Sequence, residues 1–242
     1  MDAFRVIEIK KSVWEGNDRN AAILRSELEE KGVFLLNLMS SPGSGKTTTL
    51  VRTIEALEGS VALGVMEADI DSDVDAATVS RAGARVVQLH TGGMCHLDAE
   101  MTRQGLDALA SGAPGTASGT AEGDRFAGLA GIDCVVLENI GNLICTADYD
   151  TGAARNVMIL SVPEGDDKPL KYPNIFKVCD VLLVNKIDVA PHFDFSLSAL
   201  EERVKALNPD IRIIPVSAKT GEGIPEWAEW LKTEISEWRK NI

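Results

Sequence analysis

The chain has 242 residues, 45% of them hydrophobic, which is enough apolar material to bury one sizeable core. Its 37 acidic and 24 basic side chains leave a net charge of −13, which argues against a nucleic-acid partner. No run of about 18 apolar residues suggests a membrane span, and the N-terminal stretch MDAFRVIEIKKSVWEG lacks the apolar centre of a signal peptide, so a cytoplasmic protein is expected.

Residues 17–31 place Ala21, Ile23, Leu24 and Leu28 near helical spacing ahead of Gly32, which predicts a leading packing helix. Six short apolar runs then read as buried strands: 33–39, 61–67, 84–89, 133–138, 180–185 and 211–216. Helix-length segments separate them. This alternation predicts an α/β, three-layer P-loop NTPase fold, a mostly parallel sheet flanked by helices with ligands at the carboxyl ends of its strands. Residues 1–32 are expected as a helical extension packed on a nucleotide domain over 33–242. The stretch 105–131 holds 7 of the 21 glycines and reads as a flexible surface insertion. The proline-punctuated, charged stretch 161–173 reads as a second loop.

The strand at 33–39 runs into SSPGSGKTTTL, the strand, loop and helix succession that a phosphate-binding loop needs. Gly43 and Gly45 let the backbone turn so that N–H groups around Ser44 face phosphate oxygens, with Thr48 in the first turn of the helix behind. Lys46 is the candidate for the β and γ phosphates, and the Thr47 hydroxyl for Mg2+. Ser40 stands where the general pattern begins with glycine. Asn185-Lys186-Ile187-Asp188 follows a later strand; the Asp188 carboxylate can accept both the ring N1–H and the exocyclic amine of guanine, which selects GTP over ATP. Asn185 would tie this loop to the phosphate loop or reach the base, and Lys186 would cover its face. Ser217-Ala218-Lys219 follows another strand and is placed to offer a backbone N–H to the guanine carbonyl. Glu138 and Gly141, in DCVVLENIG, are candidates for the magnesium shell and for a γ-phosphate contact. Asp69 lies just past a neighbouring strand and could touch the magnesium shell or orient water. Asp71, Asp73 and Asp75 read equally as a solvated acidic loop. Asn142 follows Gly141 where many GTPases carry a water-orienting glutamine, so slow intrinsic turnover is expected.

The chain has four cysteines: Cys95, Cys134, Cys145 and Cys179. In a reducing compartment these are expected as free thiols, core fillers or metal ligands. Cys95 and His96 sit side by side ahead of a helix beginning at Leu97, and Cys145 lies seven residues beyond Glu138. Thiolate and imidazole suit Ni2+ or Zn2+ rather than magnesium. Three soft ligands per chain are too few for a closed structural zinc site, which suggests an open transfer site or one completed by a second subunit. Cys134 and Cys179 read as small core residues.

The segments NDRNAA, NLMSSPGSGKTT, HTGGMCHLDAEM, VVLENIGNLIC, SVPEGDDKPLKYPNIF, NKID and NPDIRIIPVSAKTGEGIPEW together resemble the HypB family, the nickel-incorporation GTPases of [NiFe]-hydrogenase maturation. The resemblance covers nearly the whole chain except 105–131. It implies a SIMIBI-class GTPase that dimerises with GTP and binds nickel or zinc at the dimer interface through Cys95, His96 and Cys145. It implies further that the metal is handed on with a HypA-like metallochaperone to the hydrogenase large-subunit precursor. Lys168 and Lys171 then become candidates for coupling nucleotide to the dimer. The chain departs from the family pattern in having no cysteine-rich or histidine-rich N-terminal motif, so nickel storage there is not expected, and in carrying Thr146 where proline is usual. Three rival readings stay open: a urease-directed UreG-like GTPase, which the adjacency of Cys95 and His96 disfavours; a metal-independent regulatory GTPase; and an ATP-dependent P-loop enzyme.

Overall fold

A computed structural model describes residues 5–8, 16–69, 74–112 and 126–240, with only the backbone described for 5–8, 74 and 75. The elements in chain order are β1 (Arg5–Glu8), α1 (Asn17–Glu30), β2 (Phe34–Ser40), α2 (Lys46–Leu57), β3 (Leu63–Asp69), α3 (Val74–Arg81), β4 (Arg85–His90) and α4 (Ala99–Ser111). After them come β5 (Cys134–Glu138), β6 (Arg155–Ser161), α5 (Lys168–Lys171), α6 (Pro173–Val178), β7 (Val181–Asn185), α7 (Leu197–Leu207), β8 (Arg212–Pro215) and α8 (Ile224–Lys240).

The strands form one sheet in the order β1-β4-β3-β5-β2-β6-β7-β8, and each of its pairings is parallel. Alternating side chains go to opposite faces. Phe34, Leu36 and Leu38 of β2 pack with Leu50 and Ile54 of α2 and with Trp227 and Leu231 of α8. Leu35 packs on the other face with Leu24 and Leu28 of α1 and with Met101 and Leu106 of α4. Burying each such side chain contributes about 1.5–3 kcal/mol, so strands buried on both faces need helices on both. Trp227 anchors α8 through its indole N–H, which donates to the Thr53 hydroxyl at 2.8 Å. From β2 the chain moves to β3 and β4 on one side of the sheet and later to β6, β7 and β8 on the other. The strand order therefore reverses around β2, and ligands of open α/β sheets gather at the carboxyl ends of strands beside such a reversal.

Two strands were not among the six expected. β6 carries a four-residue apolar centre, Val157–Leu160, between polar residues and a proline, too short to stand out beside the adjoining loop signal, yet it occupies the place next to β2. β1 is four residues long and carries a charge at each end. The expected loop at 161–173 is mostly helical: a 3-10 turn at Val162–Glu164 closed by a Ser161/Glu164 capping box, then α5 and the start of α6. Its prolines sit at first or second helical positions, where a missing N–H costs nothing, so residues that looked like loop punctuation start helices. The glycine-rich stretch also begins later than 105. α4 runs to Ser111, and Gly105 lies inside it, where an added Cβ would come within 2.7 Å of the Met66 sulfur. Phe126 and Leu129 are buried at the far end of the stretch, and residues 113–125 lie outside the described part. The helix expected from Leu97 begins at Ala99, because Asp98 caps it by accepting from the Met101 N–H at 2.8 Å.

Candidate nucleotide site and thiol centre

The turn from β2 into α2 needs glycine at Gly43 (φ 74°) and at Gly45 (φ 98°). At Gly45 the crowding is severe as well, since a Cβ would lie 2.5 Å from Asn185 Nδ2. Lys46 Nζ donates to the Ser40 hydroxyl at 3.0 Å, so a serine in place of the usual first glycine seats the lysine. The Thr47 hydroxyl lies 3.1 Å from Glu138 Oε1. These are hard oxygen donors meeting at the N-terminus of α2, a set that suits Mg2+ beside a phosphate. The Ser44 hydroxyl is buried with no hydrogen-bond partner among the described residues, an orphan that a ligand oxygen would satisfy. Thr48 is exposed on the first turn of α2.

Asp69 ends β3, with its carbonyl accepting from the Thr91 N–H at 3.2 Å. Glu67 of β3 is in register with Glu138 of β5, so Asp69 lies two residues further toward the carboxyl edge of the sheet. Asp71 and Asp73, and the side chain of Asp75, fall outside the described residues. Gly141 lies against the phosphate loop, where an added Cβ would approach the Pro42 nitrogen to 3.1 Å.

A dense set of polar contacts joins the β7 and β8 loops to the phosphate loop. Asn185 Nδ2 donates to the Ser44 carbonyl at 2.9 Å, while its Oδ1 accepts from the N–H groups of Lys186 (2.8 Å) and Ala218 (3.1 Å). Asn185 thereby ties the β7 and β8 loops to the phosphate loop. Lys186 takes a left-handed conformation (φ 63°) and donates to the Gly43 carbonyl at 2.6 Å. Asp188 Oδ1 accepts from the Ser217 hydroxyl at 2.7 Å, and the exposed Lys219 ammonium lies 4.0 Å from its Oδ2. Arg52 of α2 donates to the Ala218 carbonyl at 3.0 Å. These contacts fix the orientation of the Asp188 carboxylate.

The candidate soft ligands lie on the opposite flank of the sheet. Cys145 opens a 3-10 turn, Cys145–Ala147, and Cys95 precedes α4. The hydrogen bond shared with the Cys95 thiol, together with burial, holds the Cys145 thiol above its ordinary range. His96 is nearly buried, with its Nδ1 3.8 Å from Cys95 Sγ, and its ring stacks on Tyr149 at 3.5 Å between centroids, 11° from parallel. Burial and the neighbouring thiols push the Tyr149 phenol upward. Among the described residues no three His, Cys, Asp or Glu side chains are grouped so as to hold a metal ion. Cys134 and Cys179 are buried in the core, which pushes both thiols far upward.

Sequence reading passed over the residues that hold this region. Asn17 of α1 accepts from the Ala99 N–H at 3.0 Å and donates to the Asp150 carbonyl at 3.0 Å, bridging the chain after His96 to the chain after Cys145. Arg25 grips the Asp150 carboxylate at 2.7 and 2.8 Å and the Ala153 carbonyl at 2.9 Å. NDRNAA was the visible signal for Asn17, although helical spacing gave it only a packing role. Lys171 pairs with Asp167 at 2.6 Å, and Lys168 lies 5.4 Å from the centre of the Tyr172 ring.

Residues 34–215 match the family model described as "CobW/HypB/UreG, nucleotide-binding domain". The hydrogenase maturation factor HypB of Azotobacter chroococcum mcd 1 is 43% identical over 232 residues, 95% of this chain and 70% of that protein. The crystal structure of HypB from Helicobacter pylori in complex with nickel superposes with a TM-score of 0.81 at 34% identity, covering 92% of this chain and 96% of that one. HypB from Archaeoglobus fulgidus gives a TM-score of 0.77 at 34% identity, covering 90% and 98%. With the fold, the phosphate loop and near full-length similarity in agreement, the chain belongs to the HypB family of P-loop NTPases.

Proposed function

We propose that this protein is a cytoplasmic, GTP-hydrolysing nickel metallochaperone that acts in [NiFe]-hydrogenase maturation and whose nucleotide state controls its hold on nickel. The observation that carries this reading is the joining of two chemistries on one segment: Glu138, bonded to Thr47 beside the phosphate loop, lies seven residues before Cys145, whose thiol is held up by the neighbouring Cys95 thiol. Nickel is the cargo in this reading, in keeping with the nickel complex of the Helicobacter pylori relative.

In the nucleotide site, the turn at Gly43–Gly45 and the α2 N-terminus cradle the phosphates, and Lys46 neutralises charge on the β and γ groups. Thr47, Glu138 and Asp69 would hold Mg2+, which when bound screens the charge that develops on the transferred phosphoryl group. Asp69 would also orient the attacking water. Asp188, aligned by Ser217, reads the two guanine donors, and the Ala218 backbone closes the base pocket. Asn142 offers no free side-chain oxygen toward water, because that oxygen accepts two backbone N–H groups, in keeping with slow intrinsic turnover.

In the cargo site, Cys95 and Cys145 would bind nickel as thiolates, with His96, whose Nδ1 lies 3.8 Å from Cys95 Sγ, as a third ligand. A shell left incomplete by one chain favours a GTP-dependent homodimer in which a second copy supplies the remaining ligands. A HypA-like metallochaperone and the hydrogenase large-subunit precursor are the partners this reading requires. Nickel titration of the full chain with GDP and with a non-hydrolysable GTP analogue, followed by sedimentation, tests it. The expected result is a shift in both dimer population and nickel affinity; no shift in either removes the transfer mechanism. Unchanged nickel stoichiometry in Cys95→Ala and Cys145→Ala would leave a metal-independent switch in its place.

A further inference from the structure

Three residues separate Gly141, the candidate γ-phosphate contact, from Cys145, and one of them sets the shape of the segment. The Asn142 side-chain oxygen accepts from the N–H of Ile144 at 2.7 Å and from the N–H of Cys145 at 2.8 Å. The Asn142 carbonyl accepts from the Thr146 hydroxyl at 2.6 Å. Residues 142–146 are therefore one closed turn that contains Cys145.

The two ends of this turn are held differently. Upstream, Gly141 touches Pro42 of the phosphate loop so closely that a Cβ would lie 3.0 Å from the proline Cγ, and this contact places it within reach of whatever occupies that loop. Downstream, Asp150 is gripped by Arg25 and by Asn17, and Asn17 also holds the first N–H of α4, next to the loop that carries Cys95 and His96. Cys95 is thus fixed to the anchored end and Cys145 to the nucleotide end. A shift at Gly141 carried through a closed turn changes the spacing of the two thiols. The same shift through an open chain would be absorbed by rotation about the intervening bonds.

We infer that Asn142 is the positioning residue that couples nucleotide state to nickel affinity, by fastening the Cys145 backbone to the Gly141 end of the segment through its side-chain oxygen. This rests on the reading of Cys95 and Cys145 as nickel ligands controlled by the nucleotide. A merely structural Asn142 would stabilise the turn equally in both nucleotide states, so the informative quantity is the ratio of nickel affinities between states.

Nickel(II) is titrated by chelator competition into the full chain with GDP and with a non-hydrolysable GTP analogue, for the wild type, Asn142→Ala and Asn142→Asp. The wild-type affinities should differ between states by about fivefold or more, the lower end of ordinary coupling between sites, and Asn142→Ala should bring the ratio to within about twofold of one. Asn142→Asp keeps an acceptor at the same place and should keep the ratio, whatever its added charge does to the absolute affinities. A ratio left intact in Asn142→Ala overturns the inference, as does one lost alike in both variants. A wild-type ratio of one overturns the nucleotide-controlled reading itself, a failure visible before any variant is measured.

Discussion

The two flanks of the sheet are built to different degrees. On the β7 and β8 side, Asn185 makes hydrogen bonds to Ser44, Lys186 and Ala218, Lys186 reaches Gly43 and Ser217 aligns Asp188, so the nucleotide pocket is organised within one chain. On the β4 and β5 side the two thiols are neighbours, His96 is stacked on Tyr149, and no three metal-ligating side chains are grouped among the described residues. The hydrogen bonds that hold this flank come from Arg25, Asn17 and Asn142. On the proposed reading, a site that releases its cargo gains from an open shell, whereas one that rejects ATP gains from polar groups fixed in advance.

Substitutions break this contrast in graded ways. The largest effect is expected from Asp188→Ala: losing two hydrogen bonds to a charged group should cut the preference for GTP over ATP by roughly 10²-fold or more, read by nucleotide competition. Nickel binding to the GDP-bound form should not follow it. Cys145→Ala should weaken nickel by at least the roughly 10–100-fold typical of changes behind a metal ligand, measured by chelator competition, and Cys95→Ala should match it. Unequal losses would mean that the thiols do not act as a pair. Asn17→Ala removes both bonds that bridge the chain after His96 to the chain after Cys145, and about tenfold weaker nickel binding is expected with GTP affinity retained. An equal loss of nucleotide affinity in that variant would erase the distinction between the two flanks.

Much of the nucleotide flank was legible in the sequence, because each motif there is a contiguous stretch whose residue types dictate a backbone shape. Gly43 and Gly45 take up positive φ, and SGKT follows a buried strand. On the thiol flank the sequence marks Cys95, His96 and Cys145 as candidates, whereas the residues that support them carry no such mark. Asn17 and Ala99 are 82 positions apart, and Asn17 and Asp150 are 133 apart, so no local pattern links them. In the sequence Asn142 stands out only as not being a glutamine, while its bonds run to neighbours only two and three residues on.

The sequence by itself determined the alternation of strands and helices, the phosphate loop and the loops that follow β7 and β8. Periodicity and turn chemistry are encoded over a few adjacent residues. Only the tertiary structure decided that β6 lies beside β2, that α1 bridges the chain on both sides of the thiols, and that His96 rests on Tyr149. Those facts depend on strand order and on side chains meeting across the fold, which no stretch of the chain specifies alone.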